Sequence, residues 1–397
     1  MVVTGVGPVS SIGIGWRRYV AALRNGRSGV SPISAFDTTG FAHANGCEVR
    51  DFRPRQHIRR LAAASLGRAS QLGVTAAALA LRHAGVDARS LACRPGLVCV
   101  GTTDGESQDL DHAVELCLRG GMDAVPIALI KRYPASWISA WVAREFSLAH
   151  AEVVTLPTAC AAGNYALGYA YDVLRSGEAE YALAGGADAL CRKTFAGFYR
   201  LGAIAPSVCQ PFDADRAGIL TGEGAGILFL ETLDRARQRG ARVYAEIRGY
   251  GLSCDARHPV APDRASIVTC MRRAQTRAGV TAADIGMVCA HGTGTKANDS
   301  TEAAAIREVF GAAPPPTVSV KSMIGHTMGA ASALAAIACV GALRQGFIPP
   351  TINHGRTDPD CQLDCVPNHA RKADLRVVQN NAFAFGGNNS VLILAAP

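Results

Sequence analysis

Thr158-Ala-Cys160-Ala-Ala-Gly stands between Glu152–Leu156, which reads as a short buried strand, and a segment from Ala161 to Arg175 rich in Ala, Leu and Tyr at helical spacing. Ser176-Gly177 closes that segment as a helix C-terminus would. A cysteine at such a junction lies over unpaired helix N–H groups and the positive end of the helix dipole. Both favour the thiolate, which is the nucleophilic form. The same place also suits an inert core thiol, because free Cys is among the most buried residue types. Three polar loops further on carry groups that could work with a nucleophile: His291-Gly-Thr293-Gly-Thr295, Lys321-Ser-Met-Ile-Gly-His326, and the Gly-rich turn Asn381-Ala-Phe-Ala-Phe385-Gly-Gly. A lone strand-end histidine is usually structural. Two of them, each at the carboxyl end of an apolar strand and beside a glycine, sit where open α/β sheets hold ligands.

The elements that must position these groups occur twice. Ala84-Gly-Val-Asp87 precedes Gly96-Leu-Val-Cys-Val-Gly-Thr102, and Ala278-Gly-Val-Thr281 precedes Gly286-Met-Val-Cys-Ala-His-Gly-Thr293. Each copy follows an Ala/Arg-rich amphipathic stretch, Ala69 to His83 and Ser266 to Arg277. The Cys160 helix ends Leu174-Arg-Ser-Gly177, and a second small-residue helix, Gly329 to Ala342, ends Leu343-Arg-Gln-Gly346. Both halves finish on an apolar strand, Gly224–Leu230 and Asn389–Leu394. Short apolar strands alternating with helices predict α/β layers with mostly parallel sheets. The duplication predicts two βαβ-type halves, 1–240 and 241–397, with loops of both converging on one site.

Composition sets the outer bounds. Of 397 residues, 49% are hydrophobic and 18% charged, the profile of a compact globular chain. No leader precedes the first apolar run and no apolar run reads as a membrane span, so the expected compartment is the cytoplasm. Thirteen cysteines, an odd number lying mostly in apolar segments, read as reduced thiols. Cys361 and Cys365 have no second cysteine pair to complete a metal site, and no metal is expected. The net charge is +8, with only five lysines among 40 basic residues. No basic run interleaved with aromatics marks nucleic-acid binding. Two short clusters, Arg59-Arg60 and Lys131-Arg132, read either as solvated helix ends or as a dock for an acidic protein.

Taken together, Thr-Ala-Cys160, His291-Gly-Thr-Gly-Thr with Asn298-Asp299 and Glu302, Lys321-Ser-Met-Ile-Gly-His326 and Phe385-Gly-Gly resemble the motifs of β-ketoacyl-[acyl-carrier-protein] synthases of the elongating type. Phe212-Asp-Ala-Asp-Arg-Ala-Gly218 and Gly222-Glu-Gly-Ala225 match that family's connecting segment, and the resemblance spans the chain. It implies the thiolase fold, a duplicated five-layer αβαβα architecture. It implies a decarboxylative condensation of an acyl chain held on Cys160 with malonyl-acyl-carrier protein. It further implies an oxyanion hole from the N–H groups of Cys160 and Phe385, with Phe385 as a gate. His291 and His326 would act jointly on the malonyl unit, Lys321 would pair with Glu302, and Thr293 and Thr295 would bind the pantetheine arm. Arg59, Arg60, Lys131 and Arg132 become the expected dock for the acidic carrier protein. No metal or redox cofactor is implied.

The loop 381–388 lacks the second cysteine of a thiolase. His326 excludes the asparagine of initiating, acyl-CoA-condensing synthases. Cys160 argues against a non-catalytic chain-length-factor-like subunit. Ala384, Asn388 and Ala335 depart from the fatty-acid pattern and lean toward a type II polyketide synthase, polyene-type or aromatic, working as a homodimer or beside a chain-length factor. Fatty-acid elongation is the alternative. Asp104 falls at the family's acyl-pocket position, where a carboxylate is costly unless paired; capping of the next helix is the other reading.

Overall fold

Each half of the chain contributes five strands, and the two sets are connected in the same way. In the computed structural model, which describes residues 1–397, the first set is β1 (Val2–Ser10), β2 (Gly96–Gly101), β3 (Ala151–Leu156), β4 (Tyr181–Asp188) and β5 (Gly224–Glu231). The second is β6 (Ala245–Cys254), β7 (Ile285–Cys289), β8 (Thr317–Val318), β9 (Val377–Phe383) and β10 (Asn388–Ala395). Their orders, β1-β5-β4-β2-β3 and β6-β10-β9-β7-β8, correspond strand for strand. In each, one strand pairs in parallel with two neighbours, β2 with β3 and β4, β7 with β8 and β9. The hairpins β4–β5 and β9–β10 are antiparallel. The short antiparallel contact of Val2 with Glu246 and Val3 with Ala245 joins the sheets edge to edge.

Among the helices are α1 (Trp16–Arg24), α2 (Arg68–Ala84), α3 (Ser107–Gly120), α4 (Trp137–Phe146), α5 (Ala162–Ser176), α6 (Arg264–Ala278), α7 (Lys296–Phe310) and α8 (Ala331–Gln345). α2 and α4 cover the outside of the first sheet, α6 and α7 the outside of the second, and α5 and α8 lie between the sheets. This is the five-layer αβαβα arrangement of the thiolase fold. The middle layer is thin because its residues are small. A Cβ added at Gly163 of α5 would stand 2.8 Å from the backbone nitrogen of Ala333 in α8. The Asn164 N–H donates to Ser332 Oγ at 2.9 Å, and Asn380 Nδ2 donates to Asn164 Oδ1 at 2.9 Å. Those bonds tie the halves together beside the site.

The duplication extends to backbone strain. A three-residue 3₁₀ turn precedes each central helix, Ala159–Ala161 before α5 and Met328–Ala330 before α8. Each turn starts on a non-glycine residue of positive φ, Ala159 at 50° and Met328 at 49°. Such conformations cost of order 1–3 kcal/mol and cluster at functional sites.

Two expectations need correction. Glu152–Leu156 is not buried: β3 pairs only with β2 and forms the edge of the sheet, leaving Val153 41% exposed. One stretch, Met328–Gln345, is long and apolar enough to cross a membrane, yet 89% of it is buried between the sheets, so it is a core helix.

Candidate active site

The carboxyl end of β3 runs into the strained turn that carries Cys160, and β7 and β8 end in the loops that carry His291 and His326. Cys160, His291, His326, Thr293, Thr295 and Phe385 line one cavity of about 240 Å³. The three reactive side chains are nearly dry: Cys160 is 6% exposed, His291 4% and His326 3%.

Burial decides their protonation. The Cys160 thiol is pushed up to about 12 by desolvation, although the nearby Lys321 charge pulls the other way. The sequence-based expectation of a helix-stabilised thiolate is therefore reversed: at rest Cys160 is a thiol. Both imidazoles are held well below their ordinary value, first by burial and then by the charge of Lys321. They are therefore neutral at physiological pH.

Hydrogen bonds fix which nitrogen of each ring donates. His326 Nδ1 accepts the Met328 N–H at 3.1 Å, so Nε2 carries the ring hydrogen. Lys321 Nζ lies 3.5 Å from His291 Nδ1, and an ammonium there can only donate. Both rings thus keep an Nε2–H donor. Their centroids are 5.6 Å apart and the planes are nearly perpendicular, at 83°.

Lys321 does not pair with Glu302. Its Nζ donates to the His291 carbonyl oxygen at 2.6 Å. Glu302 instead accepts the N–H groups of His291 and Gly292, at 2.9 and 2.8 Å, and an amide hydrogen of Asn381 at 3.0 Å. A carboxylate already holding three donors has little room for an ammonium. Asp299, one turn earlier on the same face of α7, accepts the N–H groups of Thr293 and Gly294. Two fully buried carboxylates therefore clamp the loop that carries His291. Thr293 and Thr295 share a hydroxyl contact of 2.9 Å at its far end.

Models of the β-ketoacyl synthase N-terminal and C-terminal domains match residues 1–236 and 244–354. The chain belongs to the β-ketoacyl synthase family. It is a ketosynthase-type acyltransferase by that membership. It is 38% identical to nodulation protein E of Rhizobium sp. (strain N33), over 99% of this chain and 98% of the relative. Among solved structures it resembles the ishigamide ketosynthase/chain length factor, with 55% identity, a TM-score of 0.99, and 100% and 98% of the two chains covered. It also resembles a type II polyketide synthase acyl-carrier protein in complex with its ketosynthase bound to the hexaketide, with 29% identity, a TM-score of 0.91 and coverage of 100% and 98%.

Around this ketosynthase centre the remaining expected residues fall in different places. Phe385 is 41% exposed at the cavity rim, and its ring lies 5.5 Å from that of Phe198. Gly386 and Gly387, at φ 80° and 77°, allow the turn that presents it. Asp104 does not line the cavity that contains Cys160. Its side chain is 5% exposed, accepts from Thr194 Oγ1 at 2.6 Å and pairs with Lys193 at 3.1 Å. It does not cap α3, whose N-cap is Glu106. Its charge nonetheless reaches Cys160, raising the thiol further, and with burial it pushes Asp188 up to about 7.

None of the four residues of the expected basic dock lines the cavity that holds Cys160. Arg132 is ion-paired with Asp109 at 2.7 Å. The backbone N–H groups of Arg59 and Arg60 bind Glu145 at the end of α4, and α4 feeds the start of β3, the end remote from Cys160. Lys131 is exposed beside Arg132. The rim is instead built by Leu201, the loop His258–Pro262 and Ala297. Their chain neighbours Arg200, Arg257 and Lys296 are exposed, Arg257 with an ion pair to Asp263 at 3.5 Å. The sequence reading did not single out these three, because each is an isolated basic residue on its own segment.

Proposed function

We propose that this chain is the catalytic ketosynthase of a type II polyketide synthase, of polyene or aromatic type. Its substrates are an acyl thioester and malonyl-acyl-carrier protein, and its product is a 3-oxoacyl-acyl-carrier protein. The observation that carries the reading is the convergence of Cys160, His291 and His326 on one dry cavity, with an Nε2–H donor on each ring.

In this scheme Cys160 Sγ attacks the acyl carbonyl as its S–H bond breaks. The N–H groups of Cys160 and Phe385 stabilise the resulting oxyanion. The carrier thiolate leaves and takes the proton, and the acyl chain stays on sulfur. Malonyl-carrier protein then enters. The imidazole N–H groups hydrogen-bond its thioester oxygen, so loss of carbon dioxide leaves a stabilised enolate. Its carbon attacks the acyl-Cys160 carbonyl, and Sγ departs. Thr293 and Thr295 hold the pantetheine arm, while Lys321 and Glu302 position His291. Asp104, held by Lys193 and Thr194, acts on Cys160 through its charge.

The acyl-carrier protein is the substrate partner, in the cytoplasm, and it docks on Arg200, Arg257 and Lys296. A chain-length-factor-like subunit, or a second copy, covers the open edge of β3 and the exposed stripe Leu110, Val114 and Leu118 of α3. The polyketide assignment rests on Ala335, Ala384 and Asn388 and on the relatives named above. The alternative pathway is fatty-acid elongation. A non-catalytic subunit is disfavoured because Cys160 is retained. The test is incubation of the purified protein, alone and with its partner, with acyl- and malonyl-carrier protein. A 3-oxoacyl product is expected; its absence from both preparations would overturn the proposal.

A further inference from the structure

At the end of the molecule remote from Cys160 lies a second large cavity, about 700 Å³. It opens between the start of α1, the ends of α2 and α8, and the segment entering β6. Five arginines line it, Arg17, Arg18, Arg82, Arg242 and Arg344, and no carboxylate does. Four of the five are exposed and Arg344 is half-buried. None is held by an acid of the fold, in contrast to Arg239, which is bonded to Glu231. Ordinary helix electrostatics accounts for part of this set: Arg82 and Arg344 occupy the last turns of α2 and α8, where cations are favoured. It does not account for Arg17 and Arg18. They stand in the first turn of α1, which has no acid and no side-chain cap, so their charges oppose the dipole.

The wall is aromatic. The His83 ring stacks on Tyr244 at 4.3 Å and lies 5.2 Å from Trp16. Arg242 and Arg344 approach Tyr244 at 5.4 and 6.0 Å from its ring centre. His83 Nδ1 accepts the Val6 N–H at 3.2 Å, which leaves Nε2–H as a donor. Burial and Arg242 lower this imidazole to about 4, so it stays neutral.

We propose that this groove binds a nucleoside polyphosphate. Planar guanidinium forks match phosphate oxygens, and several of them without acidic partners suit a multiply charged anion. The ring wall suits a flat base, and the volume falls within the range of small-molecule clefts.

The test is calorimetric titration of the full chain with ATP, inorganic tripolyphosphate and adenosine at about 0.15 M salt, where surface charge is already screened. ATP is expected to bind at least about tenfold more tightly than tripolyphosphate, adenosine not detectably. The double variant Arg82→Gln/Arg242→Gln is expected to weaken ATP at least about tenfold with only a small drop in the ligand-free melting temperature. No ATP binding, equal affinity for tripolyphosphate, or ATP binding unaffected by the double variant would each overturn the proposal. A larger drop in melting temperature would be resolved with Arg17→Gln/Arg18→Gln, which removes charges that oppose the α1 dipole; undiminished ATP binding there would also overturn it.

Discussion

Lys321 Nζ donates to the carbonyl oxygen of His291 at 2.6 Å, and it lies 3.5 Å from Nδ1 of the same residue. One cation thus fixes both the backbone and the ring orientation of one histidine, while its field reaches Cys160 and His326. Replacing it with a neutral side chain of similar length, Lys321→Met, removes a charge that holds the thiol down and both imidazoles down. The Cys160 thiol should become less reactive at any given pH, and the acidic limb of the condensation profile should move to higher pH. Alkylation rates at Cys160 and a pH–rate profile check this. Unchanged values of both would show that Lys321 is only a packing residue.

A thiol raised to about 12 predicts a particular alkylation profile. In the free enzyme, the iodoacetamide rate at Cys160 should climb about tenfold per pH unit through the neutral and mildly alkaline range, because only the thiolate reacts. Peptide-level mass spectrometry separates Cys160 from the other twelve cysteines of the chain. A plateau reached below pH 8 would mean that the helix terminus and Lys321 outweigh burial after all.

Glu302→Gln leaves one of the His291 and Gly292 N–H groups facing an amide hydrogen. A buried donor left unpaired costs about 1–3 kcal/mol, so the melting temperature should fall. The functional loss should be selective. Acyl transfer to Cys160 should persist, while decarboxylation and condensation, which need His291 in place, should drop. Equal losses in both half-reactions would reduce Glu302 to a stability role.

Reversal of the rim charges, Arg200→Glu with Lys296→Glu, should raise the apparent KM for carrier-bound substrates and leave small pantetheine thioesters nearly untouched. Surface charge steers encounter and is screened by salt, so the difference should shrink as ionic strength rises. Reversal at Arg59 and Arg60, near the far end of β3, should have little effect. The opposite ranking would restore the dock to the two clusters legible in the sequence.

The sequence carried the duplication and the ends of the central helices closely, because glycines with no Cβ penalty close both: Gly177 and Gly346, at φ 83° and 65°. It also carried the three residues that converge on one cavity, Cys160, His291 and His326, since each sits in a short loop of fixed local wording. What it did not carry depends on distance in space. The thiol of Cys160 looked activated by its helix, but desolvation is a property of the packed layers around it. Glu302 appeared as a partner for Lys321 because charge signs alone suggest that pairing. In the fold, backbone N–H groups claim the carboxylate first. β3 looked buried because Val153 and Val154 are apolar; its position at the sheet edge follows from strand order.

The measurement that bears most directly on the central claim is intact-mass and peptide mapping of the enzyme after exposure to acyl-carrier protein. One acyl group should appear, on Cys160. A folded Cys160→Ala variant should carry none and form no 3-oxoacyl product, yet it should still release carbon dioxide from malonyl-carrier protein through His291 and His326. An acyl group found on another cysteine, or condensation persisting in Cys160→Ala, would contradict the account.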